Sequence, residues 1–246
     1  MPRYRALVAY DGTAYVGFQR QRPGHITIQG ELERVISQLA QHPTTIIGAG
    51  RTDSGVHALG QTICFDMDWR HSSQALENAI NVNLPADIAV YQLSHAAPTF
   101  HPRYDARRRA YRYVIYNEPV RQPLLRHYSW HVKRPLDVEA MNEAAALLPG
   151  VQDFATFGQP PQGNNTVREL FTAFWQREEP LLVFTIEANA FLYRMVRSIV
   201  GSLKAVGEGR WRVTDFQEAL AAADRSRCAA VAPPQGLTLA SVTYTE

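Results

Sequence analysis

The chain has 246 residues, of which 46% are hydrophobic and 20% are charged, and its formal net charge at pH 7 is only +2. This composition excludes a disordered chain, because it supplies enough apolar side chains for one large or two modest cores. No stretch approaches the roughly 20 consecutive apolar residues of a membrane-spanning helix, and the first residues lack the apolar segment of a signal peptide. We therefore expect a globular, cytoplasmic protein without a membrane partner.

The first part of the chain predicts strands that alternate with helices. Apolar side chains recur at helical spacing after Thr27, and Ser72 is a suitable N-cap for a second helix. Short β-rich runs surround both helices. The predicted elements are a strand over Tyr4–Tyr10, a helix after Thr27, strands over Thr44–Gly48 and Gln61–Met67, a helix over Ser73–Asn81 and a strand over Ile88–Leu93.

The second part repeats this order with one additional strand and one additional helix. The predicted strands are Arg107–Tyr116, His127–Val132, Arg168–Gln176, Leu181–Ala188 and Thr238–Tyr244, and the predicted helices are Val138–Leu148, Phe191–Val206 and Thr214–Ala222. Runs rich in proline and glycine predict loops at Gly158–Gly163 and Pro233–Gly236.

The repeated order predicts an α+β fold of two β-α-β-β-α-β-like halves. Their antiparallel sheets would lie side by side, with a basic central cleft between the halves. We place the boundary near Pro98–Asp105, which gives an N-terminal half of residues 1–103 and a C-terminal half of residues 104–246.

Positive charge is concentrated in three segments. Residues 101–135 carry a net +7, residues 3–22 a net +3 and residues 190–212 a net +4, which leaves −12 for the rest of the chain. Such segregation is expected if the three segments form one surface for a polyanion. Three unrelated solvated faces would give the same counts, so both interpretations stay open.

The cysteines and histidines predict no metal site. Cys64 and Cys228 are the only cysteines and lie in distant apolar segments, so we expect two buried, inert thiols. His127 and His131 lie four residues apart in a predicted strand, and no third ligand is nearby.

The densest polar cluster is the segment Gly48–His57, GAGRTDSGVH, between two predicted strands. It lacks the GxGxxG spacing of a dinucleotide-binding turn and the GK[ST] ending of a P-loop, so we expect no nucleotide cofactor. What remains is a glycine-rich loop that presents Arg51, Asp53 and His57. For Asp53 alone, a side-chain bond within the turn is the simpler explanation.

Two further segments combine arginine with aromatic or apolar side chains. Arg107, Arg109, Tyr111 and Tyr113 share one face of a predicted strand, which suits RNA but also suits a half-exposed strand with extended arginines. In the helix predicted from Phe191, apolar residues recur every fourth position, while Arg194 and Arg197 project elsewhere.

Eight blocks in order resemble the tRNA pseudouridine synthase I family. They span almost the whole chain, and the RTDSGVHA block is far more specific than a lone GxGxxG. The blocks are YDGTAYVGFQRQ, TIQGELE, GAGRTDSGVHALGQ, NVNLP, FHPRYDARRRAYRY, NAFLYRMVRSIVGSL, VGEGR and APPQGL.

The resemblance implies a homodimeric enzyme without metal or cofactor that isomerises uridine in the anticodon arm of tRNA, at positions 38, 39 and 40. It implies that Asp53 is the nucleophile and that Tyr111 contacts the target base. It further implies that Arg51 and Arg197 are cationic partners in the site. The N-terminal half would carry the catalytic loop, and the C-terminal half the base-contacting strand and the arginine helix.

Three further arginines, Arg107, Arg109 and Arg194, are expected to bind the RNA. The chain departs from the family at Pro102 and Tyr104, where alanine and phenylalanine are commoner. It also has Ala188 before Asn189, where the family usually has glycine, so the backbone that directs Arg194 and Arg197 can differ here.

The reaction agrees with the residues present, because it needs no redox change, hydrolysis or added atom. A carboxylate can add to the base or capture the anomeric carbon, and the sequence leaves both routes open, as it leaves open which tRNAs are modified. Two other classes of protein fit the sequence less well. A non-catalytic RNA-binding module gains nothing from a carboxylate near phosphate, and a nucleotide-dependent enzyme needs a phosphate loop that the GAGRTDSG spacing lacks.

Overall fold

The structure is a computed structural model that describes residues 1–22, 24–160 and 163–245. Within these ranges the chain forms ten β-strands and five α-helices, and the strands pair mostly in antiparallel fashion, which confirms the α+β class. Two compact units are present: the first contains Met1–Arg107 and Leu239–Glu246, and the second contains Arg108–Thr238. The division into halves of residues 1–103 and 104–246 stays a prediction.

The first unit contains a sheet with the strand order β4-β1-β3-β10, and β2 pairs with β3. On β1, every second side chain from Tyr4 to Tyr10 is buried, which is the period of a strand with one face in the core. The elements of this unit are β1 (Arg3–Tyr10), α1 (Ile28–Ala40), β2 (Ile47–Gly48), β3 (His57–Asp66), α2 (Ser73–Asn83), β4 (Ile88–Ala96) and most of β10 (Leu237–Tyr244).

Both helix starts of this unit are confirmed. The Thr27 hydroxyl accepts the N–H of Gly30, and the Ser72 hydroxyl accepts the N–H of Ala75. These N-caps satisfy donors that the first helical turn leaves without a partner.

Strand β3 is longer than the sequence predicts, since it begins at His57 rather than Gln61. Position 60 inside this strand requires glycine, because a Cβ there would lie 2.7 Å from the Ala240 carbonyl oxygen of β10. The catalytic loop predicted by the resemblance therefore passes directly into a buried strand.

The second unit contains a sheet with the strand order β5-β9-β8-β7, and β6 pairs in parallel with β5. Its strands are β5 (Ala106–Tyr116, which begins in the first unit), β6 (Trp130–His131), β7 (Gly150–Asp153), β8 (Val167–Glu178) and β9 (Leu181–Ala188). Its helices are α3 (Val138–Ala145), α4 (Met195–Gly207) and α5 (Val213–Ala221).

Two elements of this unit begin later than predicted, and one strand was missed. The strand predicted over His127–Val132 is limited to β6, so His127 lies before it. The helix predicted from Phe191 begins at Met195, because Arg194 has a φ of +61° and the Tyr193 N–H donates to the Gln159 carbonyl. Strand β7 was not predicted. Part of the loop predicted at Gly158–Gly163, residues 161 and 162, lies outside the described residues.

None of the described helices is both long and apolar enough to cross a membrane. The longest, α1 and α4, have 13 residues each.

The two thiols differ, which corrects the expectation that both are buried. Cys64 lies fully inside the first unit, whereas Cys228 is partly exposed in the second. Burial raises the pKa of the Cys64 thiol to about 11. Since the thiolate is the reactive form, we expect one thiol of the native protein to react with a disulfide reagent at pH 8 and the second to react only after denaturation. Equal reaction rates of two thiols in the native protein would contradict this.

Candidate functional site

The Asp53 loop is closed by a main-chain hydrogen bond. The Asp53 carbonyl accepts the N–H of Val56 at 3.1 Å, and Gly55 has a φ of +76°, a conformation that favours glycine. The main chain therefore closes this turn. In the neighbouring turn, the Asp11 carboxylate accepts the N–H of Thr13 at 2.9 Å.

Thr52 anchors the loop immediately before Asp53. Its buried hydroxyl lies 2.8 Å from the hydroxyl of Tyr10, at the end of β1. Its carbonyl accepts the N–H of Phe18, and a Cβ on Gly17 would lie 2.7 Å from this carbonyl oxygen. Gly17 therefore allows a close approach that no other residue type would allow, and two contacts fix the backbone before Asp53.

The flanks of the loop are anchored as well. The Gln61 amide donates to the Gly50 carbonyl at 2.9 Å, and the Ser54 hydroxyl donates to the Tyr15 carbonyl at 3.1 Å. The buried His57 accepts the Gly12 N–H at Nδ1. Arg51 is exposed, and Asp53 is partly exposed in the same loop.

The Tyr10–Thr52 contact yields a prediction for the Thr52→Val variant. The substitution removes the buried hydrogen bond between Thr52 and Tyr10 and so loosens the backbone before Asp53. Because a small displacement of a reacting group slows catalysis, we expect kcat to fall about 10- to 100-fold. Thr62→Val is the matched control, because the buried Thr62 hydroxyl has no hydrogen-bond partner among the described residues. Single-turnover kinetics of both variants measure the effect, and equal rates for the two would contradict an anchoring role.

In the second unit, Tyr111 lies on β5 opposite Ile186 of β9. Only 9% of its surface is exposed, and its ring packs edge-to-face on Phe191 with centroids 5.1 Å apart. Tyr113, two residues on, is fully buried and donates its hydroxyl to the Pro233 carbonyl. Burial changes along this strand face: Arg107 is exposed and Arg109 partly exposed, whereas both tyrosines are buried. Burial raises the pKa of Tyr113 well above its usual value.

Arg109 is tied to the segment that follows β9. Its Nη1 donates to the Asn189 carbonyl at 2.6 Å, while the Asn189 amide oxygen accepts the N–H of Glu169 on β8. Ala188 is fully buried and pairs with Arg109 and Leu170. The strand therefore accommodates the alanine that replaces the usual glycine, and Asn189 is a connecting residue that periodicity did not indicate.

The two arginines near the start of α4 have different surroundings. Arg197 donates from Nε to the Ala232 carbonyl at 2.8 Å, and its own carbonyl accepts the Ala232 N–H. Its charge partly counteracts the rise in the pKa of Tyr113. Arg194 is exposed, and its guanidinium carbon lies 4.9 Å from the Tyr193 ring centroid. Arg194 is thus a surface cation, whereas Arg197 is held against the protein.

Arg107 is exposed at the start of β5 and donates from Nε to the Thr245 hydroxyl at 3.0 Å. Arg112 points to the opposite face of this strand and lies 3.6 Å from Glu178.

We expect Arg107→Glu to weaken tRNA binding and to lower its salt dependence. Each lost phosphate contact removes roughly 0.7 to 0.9 from the slope of log K against log salt. Arg112→Glu, on the other strand face, is the control and should change the slope less. An unchanged slope in a folded Arg107→Glu variant would mean that this arginine does not contact the RNA.

Among the described residues, no group of three His, Cys, Asp or Glu side chains is arranged to hold a metal ion.

Comparisons with known proteins agree with one another over nearly the whole chain. The family described as tRNA pseudouridine synthase matches residues 6–105 and 144–245. The protein named tRNA pseudouridine synthase A from Pseudothermotoga lettingae is 39% identical over 99% of this chain and 100% of the relative. The protein of the same name from Maricaulis maris is 43% identical over 99% of this chain and 98% of the relative. A crystal structure of an unknown protein from Galdieria sulphuraria aligns with 85% of this chain and 93% of that chain at 14% identity, with a TM-score of 0.23, which is too low to carry an argument.

Proposed function

The chain belongs to the tRNA pseudouridine synthase family and is an isomerase, and from this premise we propose that it converts uridine to pseudouridine at positions 38, 39 and 40 of the tRNA anticodon stem-loop. Asp53 is the nucleophile in this proposal, and no cofactor takes part. The proposed partners are tRNA and a second copy of the chain in a homodimer, and the proposed location is the cytoplasm.

The construction of the Asp53 loop is the observation that carries the proposal. Contacts from Tyr10 and Phe18 to Thr52, before Asp53, and from Ser54, after it, to the Tyr15 carbonyl hold a turn that closes through its main chain. A carboxylate on a backbone fixed in this way suits a nucleophile, since preorganisation reduces the cost of reaching the reacting geometry.

The reaction breaks the bond between N1 of uracil and C1′ of the ribose and forms a bond from C5 to C1′. The proton on C5 leaves to solvent, and N1 gains a proton, so atoms balance without an oxidant or a second substrate. The Asp53 carboxylate either adds to the base or captures C1′, and both routes stay open. We propose Arg51 and Arg197 as the cationic partners of this carboxylate in the site.

The remaining roles follow from side-chain chemistry. The ring of Tyr111 contacts the target base, which must leave its stack at a cost of a few kcal/mol. Arg107, Arg109 and Arg194 bind the RNA.

The structure disfavours a nucleotide-dependent enzyme. The loop GAGRTDSG leads into strand β3 rather than a helix, so no helix N-terminus follows it to bind phosphate. A simple RNA-binding module is disfavoured because a partly exposed carboxylate in a preformed loop would repel phosphate.

Tritium release from a prefolded tRNA transcript that carries [5-³H]uridine tests the proposal. We expect release in excess EDTA and without any nucleotide, and we expect it to disappear when positions 38, 39 and 40 are cytidines. Activity that is abolished by chelation and restored by zinc or magnesium, at concentrations too low to fold RNA, would contradict the cofactor-free assignment. Release from the cytidine transcript would contradict the positions.

A further inference from the structure

A large aromatic side chain stands exposed on the first unit, in the segment 101–105. Tyr104 has 75% of its surface exposed. Its ring lies against the imidazole of His101, with centroids 4.2 Å apart and planes inclined by 31°, and the Arg103 guanidinium carbon lies 5.9 Å from its centroid. An exposed ring that packs on a second ring beside a cation has the features of a base-stacking surface.

The segment that holds this ring is fixed by its own hydrogen bonds. The N–H of His101 donates to the Asp105 carboxylate at 2.8 Å, and the N–H of Asp105 donates to the His101 carbonyl at 3.0 Å. The N–H groups of Arg103 and Tyr104 donate to Nδ1 of His101. These contacts hold the imidazole of His101 in place against the ring of Tyr104.

The Pro102 carbonyl adds a further connection, because it accepts the hydroxyl of Tyr244 at 2.8 Å. The ring of Tyr244 in turn packs edge-to-face on Phe100, with centroids 5.2 Å apart. Tyr104 is therefore preorganised, and little conformational entropy is lost when a ligand covers it.

We propose that Tyr104, backed by His101, is a stacking platform for an unpaired base of the RNA substrate, distinct from the residues assigned to the target uridine. This inference rests on the proposed function and deepens it. RNA is favoured over a protein partner because the ring lies in the most basic segment of the chain, residues 101–135, with nine Lys and Arg against two acids. The flanking side chains are polar or charged rather than aliphatic, and a π face accepts any base.

The test compares four Tyr104 variants by equilibrium binding of a full-length tRNA transcript, all in an Asp53→Asn background so that no turnover occurs. Tyr104→Phe and Tyr104→Trp keep an aromatic ring and should bind within about threefold of the parent. Tyr104→Ala and Tyr104→Leu should raise the Kd about 5- to 150-fold, the range that one base stack contributes. The slope of log K against log salt should stay unchanged, because no phosphate contact is lost.

Three outcomes would overturn the platform: a parental Kd for Tyr104→Ala, a Tyr104→Leu variant that binds as well as Tyr104→Phe, or dimer dissociation by Tyr104→Ala in light scattering without RNA. The last would show that the ring packs on a second copy of the chain. Because the Tyr104 side chain is exposed, its substitution does not disturb the core, and each variant should melt near the temperature of the parent. Failure of the proposed function is distinguishable, since it would appear as absent tritium release with wild-type protein.

Discussion

Asp53→Asn is expected to abolish isomerisation, with a loss of at least about 10⁴-fold, while the protein stays folded. The substitution keeps the shape of the side chain but replaces a nucleophilic oxyanion with a neutral amide. The turn closes through the Asp53 carbonyl, so its hydrogen bond to Val56 survives the change. The measurements are tritium release under single-turnover conditions, thermal melting and tRNA binding, and the affinity should be equal or higher because a negative charge near phosphate is removed.

Asp11→Asn is the matched control for this substitution. The Asp11 carboxylate does serve its turn, since it accepts both the N–H and the hydroxyl of Thr13. Asparagine replaces aspartate well in such turns, so Asp11→Asn should leave most of the activity. Near-wild-type turnover by a folded, sequence-verified Asp53→Asn variant would end the nucleophile assignment.

Local patterns were enough to predict the elements that local interactions determine. Helix α1 begins where Thr27 supplies an N-cap and apolar residues follow at helical spacing, and both signals lie within a few residues. The start of α4 was missed because a contact between Tyr193 and the distant Gln159 holds the preceding residues outside the helix. Strand β7 was missed for a similar reason, since it is a short and mostly exposed segment defined by pairing with β8.

The candidate site shows the same division. The loop around Asp53 was found from its glycines and its specific motif, but the Tyr10–Thr52 hydrogen bond joins residues 42 positions apart, and no spacing rule predicts it. Strand alternation predicted that Tyr111 and Tyr113 share one face. Alternation does not predict how deeply each residue on that face is buried by the rest of the protein. The bond from Tyr113 to the Pro233 carbonyl, 120 residues away, places this second tyrosine in the core.

Tyr111→Leu is expected to lower activity about 5- to 150-fold, because it removes a stacking surface worth roughly 1 to 3 kcal/mol per base. Leucine is preferable to alanine here. Only 9% of the Tyr111 surface is exposed, and its ring packs on Phe191. Alanine would therefore leave a cavity, which typically costs about 3 to 5 kcal/mol of stability. Thermal melting of both variants separates lost packing from lost stacking.

Tyr111→Phe completes the comparison, because it keeps the ring and its edge-to-face contact with Phe191 and removes only the hydroxyl. A ring that acts by stacking predicts activity within a few fold of wild type. A hydroxyl that transfers a proton predicts a loss of order 10²-fold or more, with RNA affinity unchanged. Single-turnover rates at saturating tRNA distinguish these roles, and full activity of the folded Tyr111→Leu variant would remove Tyr111 from the site, since neither ring nor hydroxyl would then be needed for the reaction.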